Sequence, residues 1–184
     1  MADPRHAVLS VEAMGAADAF AIKQGRCGGA LMDAAGGAIA AAIMARWSPR
    51  PIAVLCGPGN NGGDGWEAAV QLRARGWPVE VFAMKPAAGL EGDAARAAAP
   101  WAGKVQRLQA CDPPRFALIL DALFGAGLSR PLEGEPARLA RACEERTVIA
   151  ADVPSGVHGD RARAEGPAFR AALTVTFHRY KPAH

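Results

Sequence analysis

The chain of 184 residues contains no uninterrupted apolar run of 18, the length a helix needs to cross a bilayer. Its apolar-rich stretch Ala34–Ile43 is ten residues long and includes Gly36 and Gly37. The opening segment MADPRHAVLS has no secretory hydrophobic core, so a cytoplasmic protein with no membrane partner is expected. None of the four cysteines, Cys27, Cys56, Cys111 and Cys143, belongs to a Cys-x-x-Cys pair. They read as reduced, mostly buried small side chains. His158 and His178 have no ligand-like spacing to each other or to a cysteine, which argues against zinc. An excess of either charge is also missing. The 21 Lys and Arg against 18 Asp and Glu leave a net +3, with no basic block, so nucleic acid is not an expected partner. Finally, no Gly-Lys-Ser or Gly-Lys-Thr follows any glycine-rich loop, and no Gly-x-Ser-x-Gly elbow occurs. Walker-type phosphate binding and serine hydrolysis lose their usual signatures.

What the chain does have is alternation of apolar strands with helical segments. Ile52–Cys56, Val79–Met84, Phe116–Asp121 and Thr147–Asp152 read as strands buried on both faces, with a short extended piece at Val105–Leu108 and a last strand at Ala171–Phe177. Between them, Trp66–Arg75, Leu90–Trp101 and Glu135–Glu145 read as helices, and residues 153–170 read as a charged loop. Two more helices precede the first strand. One opens at Ser10 or Val11, with Ser10 as its cap and an apolar stripe of Ala13, Met14, Ala17, Phe20 and Ala21. The other runs over about 31–45, where Gly36 and Gly37 permit close packing. Such repetition predicts βαβ units and a parallel sheet within one domain covering 1–184. The final strand is followed by HRYKPAH and no closing helix, so the domain is expected to be cut from a longer chain.

In an open parallel sheet, ligands lie beyond the carboxyl ends of the strands. Three strands end there in polar or glycine-rich sequence. After Cys56 comes GPGNNGGDG, with five glycines in the nine residues Gly57–Gly65. It reads as a turn whose backbone N–H groups could cradle phosphate, while Asn60, Asn61 and Asp64 could offer oxygen atoms to a cation. The dinucleotide fingerprint is not met, because two asparagines and an aspartate stand inside the loop. Glu80 lies where a ribose-binding carboxylate would sit, or it faces solvent from its strand. Asp121 and Asp152 each end a buried strand and either cap the next turn or share one site with the asparagine loop. Ser155, in DVPSG, adds a hydroxyl; the loop Gly125–Pro131, GAGLSRP, could close over a ligand with Arg130 reaching a phosphate. Lys181 either returns to the site or is a tail charge.

LMDAAG at 31–36, GPGNNGGDG at 57–65, DALFGAG at 121–127, DVPSG at 152–156 and the LTVTF strand followed by Lys181 together resemble the NAD(P)H-hydrate epimerase family, the YjeF N-terminal domain. The likeness covers nearly the whole chain. It implies a Rossmann-like three-layer αβα sandwich with a mostly parallel central sheet, usually as a homodimer. It also implies an isomerase that interconverts the R and S forms of hydrated NADH and NADPH at C6 of the nicotinamide ring. By the same resemblance, Asn60, Asn61, Gly62, Gly63 and Asp64 contact the substrate, as do Gly125, Ala126, Gly127, Leu128, Ser129, Arg130, Pro131 and Asp152. Asn61, Asp121 and Ser155 would bind a potassium ion, and Asp152 would be the general acid and base. A hydrate dehydratase dependent on ATP or ADP, fused or separate, is the implied partner. Two positions depart from the family pattern: Ala126, where threonine is common, and Val70, where arginine is. A non-catalytic nucleotide-binding or interaction module of the same fold is the alternative. In such a module the site residues would have decayed, whereas here Asn61, Asp64, Asp121, Asp152 and Ser155 stand together.

Overall fold

The computed structural model describes residues 7–184. Six strands form the central sheet: β1 (Ile52–Cys56), β2 (Val79–Ala83), β3 (Val105–Arg107), β4 (Leu118–Ala122), β5 (Thr147–Ala151) and, after a small ribbon, β8 (Leu173–Val175). The ribbon pairs β6 (Val157–His158) with β7 (Arg163–Ala164) antiparallel, inside what the sequence presents as loop. In the main sheet the order is β3-β2-β1-β4-β5-β8 and every pairing is parallel. The chain winds outward from β1 through β2 to β3, then returns to the other side of β1 for β4, β5 and β8. That reversal opens a crevice between the carboxyl ends of β1 and β4, where such folds bind ligands.

Helices α1 (Val11–Lys23), α2 (Gly28–Met44), α3 (Asn60–Ala74), α4 (Gly92–Ala98) and α5 (Gly134–Ala142) complete the fold. The central strands bury both faces, as their unbroken apolar runs require. Val54, Leu120 and Ile149 pack with α2, α3 and α4 on one face, joined by the fully buried Trp66. Leu55, Ile119 and Val148 pack with α5, Phe82 and Phe116 on the other. The result is a Rossmann-like three-layer α/β sandwich. No helix among the described residues is long and apolar enough to cross a membrane.

Glycine decides how closely the layers approach. A Cβ at Gly36 of α2 would lie 2.5 Å from Glu67 Cβ of α3, so this glycine lets the two helices touch. The larger finding concerns α3, which begins at Asn60 and not at Trp66. The glycine-dense stretch is therefore the first turns of a helix. Glycine disfavours helix by about 1 kcal/mol per residue, but contact outweighs propensity here. A Cβ at Gly65 would sit 2.5 Å from Ala122 Cβ, one at Gly63 would sit 2.5 Å from Met32 Sδ, and one at Gly62 would overlap the Gly57 carbonyl.

Ser10 caps α1 as expected, its Oγ accepting from Ala13 N at 3.1 Å. Of the stripe proposed for that helix only Met14 is buried, and Phe20 is 64% exposed. Cys56, Cys111 and Cys143 are buried, Cys27 is exposed, and all are free.

Candidate active site

The carboxyl ends of β1, β4, β5 and β8 carry the polar groups of the chain's centre. Gly57 N donates to Ala122 O at 2.9 Å, extending the β1–β4 pairing by one residue. From there Gly59 leads into α3, and the Asn60, Asn61 and Gly62 N–H groups open the helix without intrahelical acceptors. They present donors and the positive end of the helix dipole at the sheet edge. Asn61 also points inward. A Cβ at Gly125 would be 3.2 Å from Asn61 Oδ1 and 2.8 Å from Asp152 Oδ2, so Gly125 is the gap on which these side chains converge. Asn61 Nδ2 is buried and has no hydrogen-bond partner among the described residues.

Asp121, the fourth residue of β4, is fully buried. Its Oδ2 accepts from Ser155 N (2.8 Å), and its Oδ1 accepts from Ser155 Oγ (2.7 Å) and Leu123 N (3.2 Å). Ser155 Oγ in turn accepts from Phe124 N at 2.9 Å. Burial pushes the Asp121 carboxyl up to about 6, opposed by the donors from Ser155 and Leu123. This carboxylate ties the loop after β4 to the loop after β5.

Asp152 immediately follows β5 and has a left-handed backbone, φ 65°, a region that aspartate tolerates better than most residues. Its N–H donates to Val175 O at 2.8 Å, which fixes the residue against β8. The side chain is then held from two sides: Oδ2 accepts from Ala126 N at 2.9 Å, and Oδ1 is 2.6 Å from Lys181 Nζ. Lys181 is 5% exposed and also donates to Thr176 Oγ1 at 3.0 Å. The lysine therefore returns to the site. His184 clasps the same turn, with Nδ1 accepting from Lys181 N at 3.0 Å and Nε2 2.7 Å from Asp152 O. The tautomer with its proton on Nε2 satisfies both contacts.

Asp64 stands further along α3 and lines a cleft of about 690 Å³ with Asn60, Asp18 of α1, Met32 of α2 and Phe177. Burial pushes its carboxyl up to about 8, and the nearby charges of Asp152 and Asp18 push the same way. Asp64 is thus the protonated carboxyl of the region at neutral pH.

The loop Gly125–Pro131 divides. Gly125 and Ala126 border Asp152, Gly127 is exposed, and Leu128, Ser129, Arg130 and Pro131 edge a small hollow with Gly156, His158, Arg163 and Glu165 of the β6–β7 region. The backbone and Cβ of Ala126 lie against Gly159, with a Cβ there 2.9 Å from Ala126 Cβ, so alanine suits the crowding. Val70 lies on α3 beyond the glycine segment. Glu80, open to two readings from sequence, sits near the start of β2, paired with Arg115 at 3.3 Å and accepting from Gln106 at 2.9 Å. It is remote from the carboxyl edge and unsuited to a ribose there. Thr176 and His184 are site residues that sequence reasoning passed over. The threonine was visible only as strand propensity, and the histidine had no local signal.

The architecture and the position of these groups define the class: a Rossmann-like α/β domain with a polar site at the switch point of its sheet. Residues 28–183 match the model of the YjeF-related protein N-terminus, and the chain belongs to that family. It is 44% identical to the NAD(P)H-hydrate epimerase of Rhodobacter capsulatus, over 96% of this chain and 91% of that protein. It is 41% identical to the NAD(P)H-hydrate epimerase of Achromobacter xylosoxidans, over 80% and 73%. The bifunctional NAD(P)H-hydrate repair enzyme Nnr of Thermofilum pendens is 39% identical, but there the match covers 80% of this chain and 30% of the relative. Among solved structures, yeast ynu0 (YNL200c) shares the fold, with TM-score 0.81 at 22% identity, covering 96% of this chain and 82% of that one.

Proposed function

We propose that the chain interconverts the R and S forms of hydrated NADH and NADPH at C6 of the nicotinamide ring, with Asp152 as general acid and base. The observation that carries this reading is the placement of Asp152. Its carboxylate is fixed between Ala126 N and Lys181 Nζ, beside the donor end of α3. The names of the Rhodobacter and Achromobacter relatives support the same reaction.

In the hydrate, the C6 hydroxyl stands next to the ring nitrogen. Asp152 as acid protonates that hydroxyl, which leaves as water while the nitrogen lone pair forms a C6=N bond. The carbon becomes planar, and the positive ring faces the carboxylate just created. Water then adds from either face, and its proton passes back to Asp152, so that both epimers form. Substrate and product are isomers, so no electron leaves the system. Lys181 holds the carboxylate in position between the two half-reactions, and the α3 N–H groups receive the diphosphate.

Asn61, Asp121 and Ser155 fit a potassium ion by donor chemistry. They offer only oxygen ligands, and Asp121 is a buried carboxylate with no cationic partner among the described residues. Bound there, the ion would offset the Asp121 charge and favour an anionic ligand at α3. A fused or separate hydrate dehydratase dependent on ATP or ADP is the proposed consumer of one epimer. The bifunctional name of the Thermofilum relative supports such a linkage.

The deciding experiment follows epimer exchange of purified NADHX by NMR, with and without potassium, for the parent and Asp152→Asn. Acceleration by the parent and its loss in the variant are expected. A folded parent that binds NADHX without accelerating exchange would overturn the enzyme reading in favour of a binding module.

A further inference from the structure

A second groove, of about 800 Å³, lies beyond the carboxyl ends of β2 and β3 and is bordered by the start of α5. Met84, 40% exposed, and the buried Leu108 give it apolar surface. Lys85, two residues past β2, and Arg107, the last residue of β3, give it positive charge. Neither cation is in a salt bridge among the described residues. On the acidic side, Glu135 is already paired with Arg138 at 2.6 Å, which leaves Glu133 at the start of α5.

We infer that this groove seats the adenosine half of the dinucleotide and that Lys85 and Arg107 recognise a 2′-phosphate, so that the phosphorylated hydrate is the preferred substrate. The inference rests on the epimerase reading, which puts the reacting ring at Asp152. From β5 to β2 the sheet order crosses β4 and β1, three strand spacings or roughly 14 Å. An extended dinucleotide spans a comparable distance between its ring and its base. The intermediate stations agree. The ring lies after β5, the loop Gly125–Pro131 follows β4, the α3 N–H groups after β1 meet the diphosphate, and the groove follows β2 and β3.

Charge selects this direction over the other. The cleft on the α1–α2 side carries the charges of Asp18 and Asp93 against the single Arg26, a net negative lining that disfavours a phosphate. In dinucleotide-binding sheets of this kind, a carboxylate at the end of the second strand holds a free ribose 2′-hydroxyl, and a basic residue there accommodates the 2′-phosphate. Here Glu80 is committed to Arg115 at the opposite end of β2, and Lys85 stands at the carboxyl end.

The test titrates adenosine 2′,5′-bisphosphate and adenosine 5′-monophosphate into the parent and into Lys85→Glu/Arg107→Glu by calorimetry, with circular dichroism to check folding. The parent is expected to bind the bisphosphate at least about tenfold more tightly than the monophosphate, and the double variant to lose that preference. In parallel, the ratio of kcat/KM for NADPHX to that for NADHX is expected to fall about tenfold in the double variant. Equal binding of both nucleotides by the parent, or an unaltered preference in the folded variant, would overturn the inference. Two milder variants, Lys85→Ala and Arg107→Ala, guard against effects of charge reversal and should each lose part of the preference. The nucleotide titration does not use turnover. A parent inactive on both hydrates that still prefers the bisphosphate therefore supports the groove while the epimerase reading fails.

Discussion

Asp121 and Asp152 each stand at the carboxyl edge of adjoining strands, each in a sequence ending an apolar run, yet the protein uses them in opposite ways. Asp121 is fully buried and receives Ser155 N, Ser155 Oγ and Leu123 N, all neutral donors. Asp152 is partly open, sits on left-handed backbone and is held by one backbone N–H, one lysine and, at 3.4 Å, the Thr176 hydroxyl. The first carboxylate joins two loops into a fixed frame, and the second is displayed by that frame. A strand-terminal aspartate therefore declares its role through its partners and exposure, and its position in the strand says little.

Substitution separates the two sharply. Asp152→Asn keeps the left-handed backbone and the size of the side chain but removes the proton carrier, so epimer exchange should fall about 10³-fold, and the loss of the anionic partner of the buried Lys181 should also lower urea stability. A variant as active as the parent would transfer the chemistry elsewhere. Asp121→Ala should act first on the frame, lowering stability by about 3 kcal/mol because it strands buried N–H donors of Ser155 and Leu123. Urea denaturation reads this directly. A loss below about 1 kcal/mol would mean that the frame does not depend on it. Lys181→Met tests the lysine's contribution to the contrast. With the ammonium gone and only the Thr176 hydroxyl left on the Oδ1 side of Asp152, exchange should slow by about tenfold or more, and the pH–rate profile should shift, a signature that mere loss of packing would not give.

The smallest effect sharpens the comparison through a third carboxyl. Asp64 keeps its proton in the folded state up to about pH 8. The unfolded chain releases it near pH ~4. Between those limits the unfolded state binds fewer protons, so the stability contributed by this group is full below pH ~4 and is lost as pH rises through about 8. Asp64→Asn should flatten that decline in denaturation measured from pH 4 to 8, whereas Asp152→Asn should only narrow it, because burial outweighs the Asp152 charge in raising the Asp64 value. An unchanged slope in the Asp64 variant would remove the buried acid from the account.

Much of this site was readable beforehand because it is written in short local strings. Apolar runs identified the four longer strands, and the polar residues at or just after their ends placed Asn61, Asp121, Asp152 and Ser155 at one edge. Long-range contact accounts for what was hidden. The start of α3 looked like a turn because Gly62, Gly63 and Gly65 have poor helix propensity, and their reason for being glycine lies in Gly57, Met32 and Ala122. Phe20 fitted a helical stripe but stays exposed, since periodicity cannot say whether a neighbour covers the face. Lys181 and His184 fold back on Asp152 across about thirty intervening residues, and no local pattern encodes that return. Glu80 stayed open to two readings because a ribose-binding spacing in sequence ignores which end of the strand the residue occupies.

The left-handed backbone at Asp152 also sets the vocabulary of tolerated change at that position. Only glycine, asparagine and aspartate enter this conformation readily; most other residues pay about 1 kcal/mol or more for it. A saturation library at 152 should therefore split into three groups: an active parent, folded but silent Gly and Asn, and a remainder penalised before its chemistry is ever tried. Glutamate belongs to that remainder although it keeps the carboxylate. At this corner of the sheet, backbone geometry filters the alphabet first and reactivity chooses from what is left.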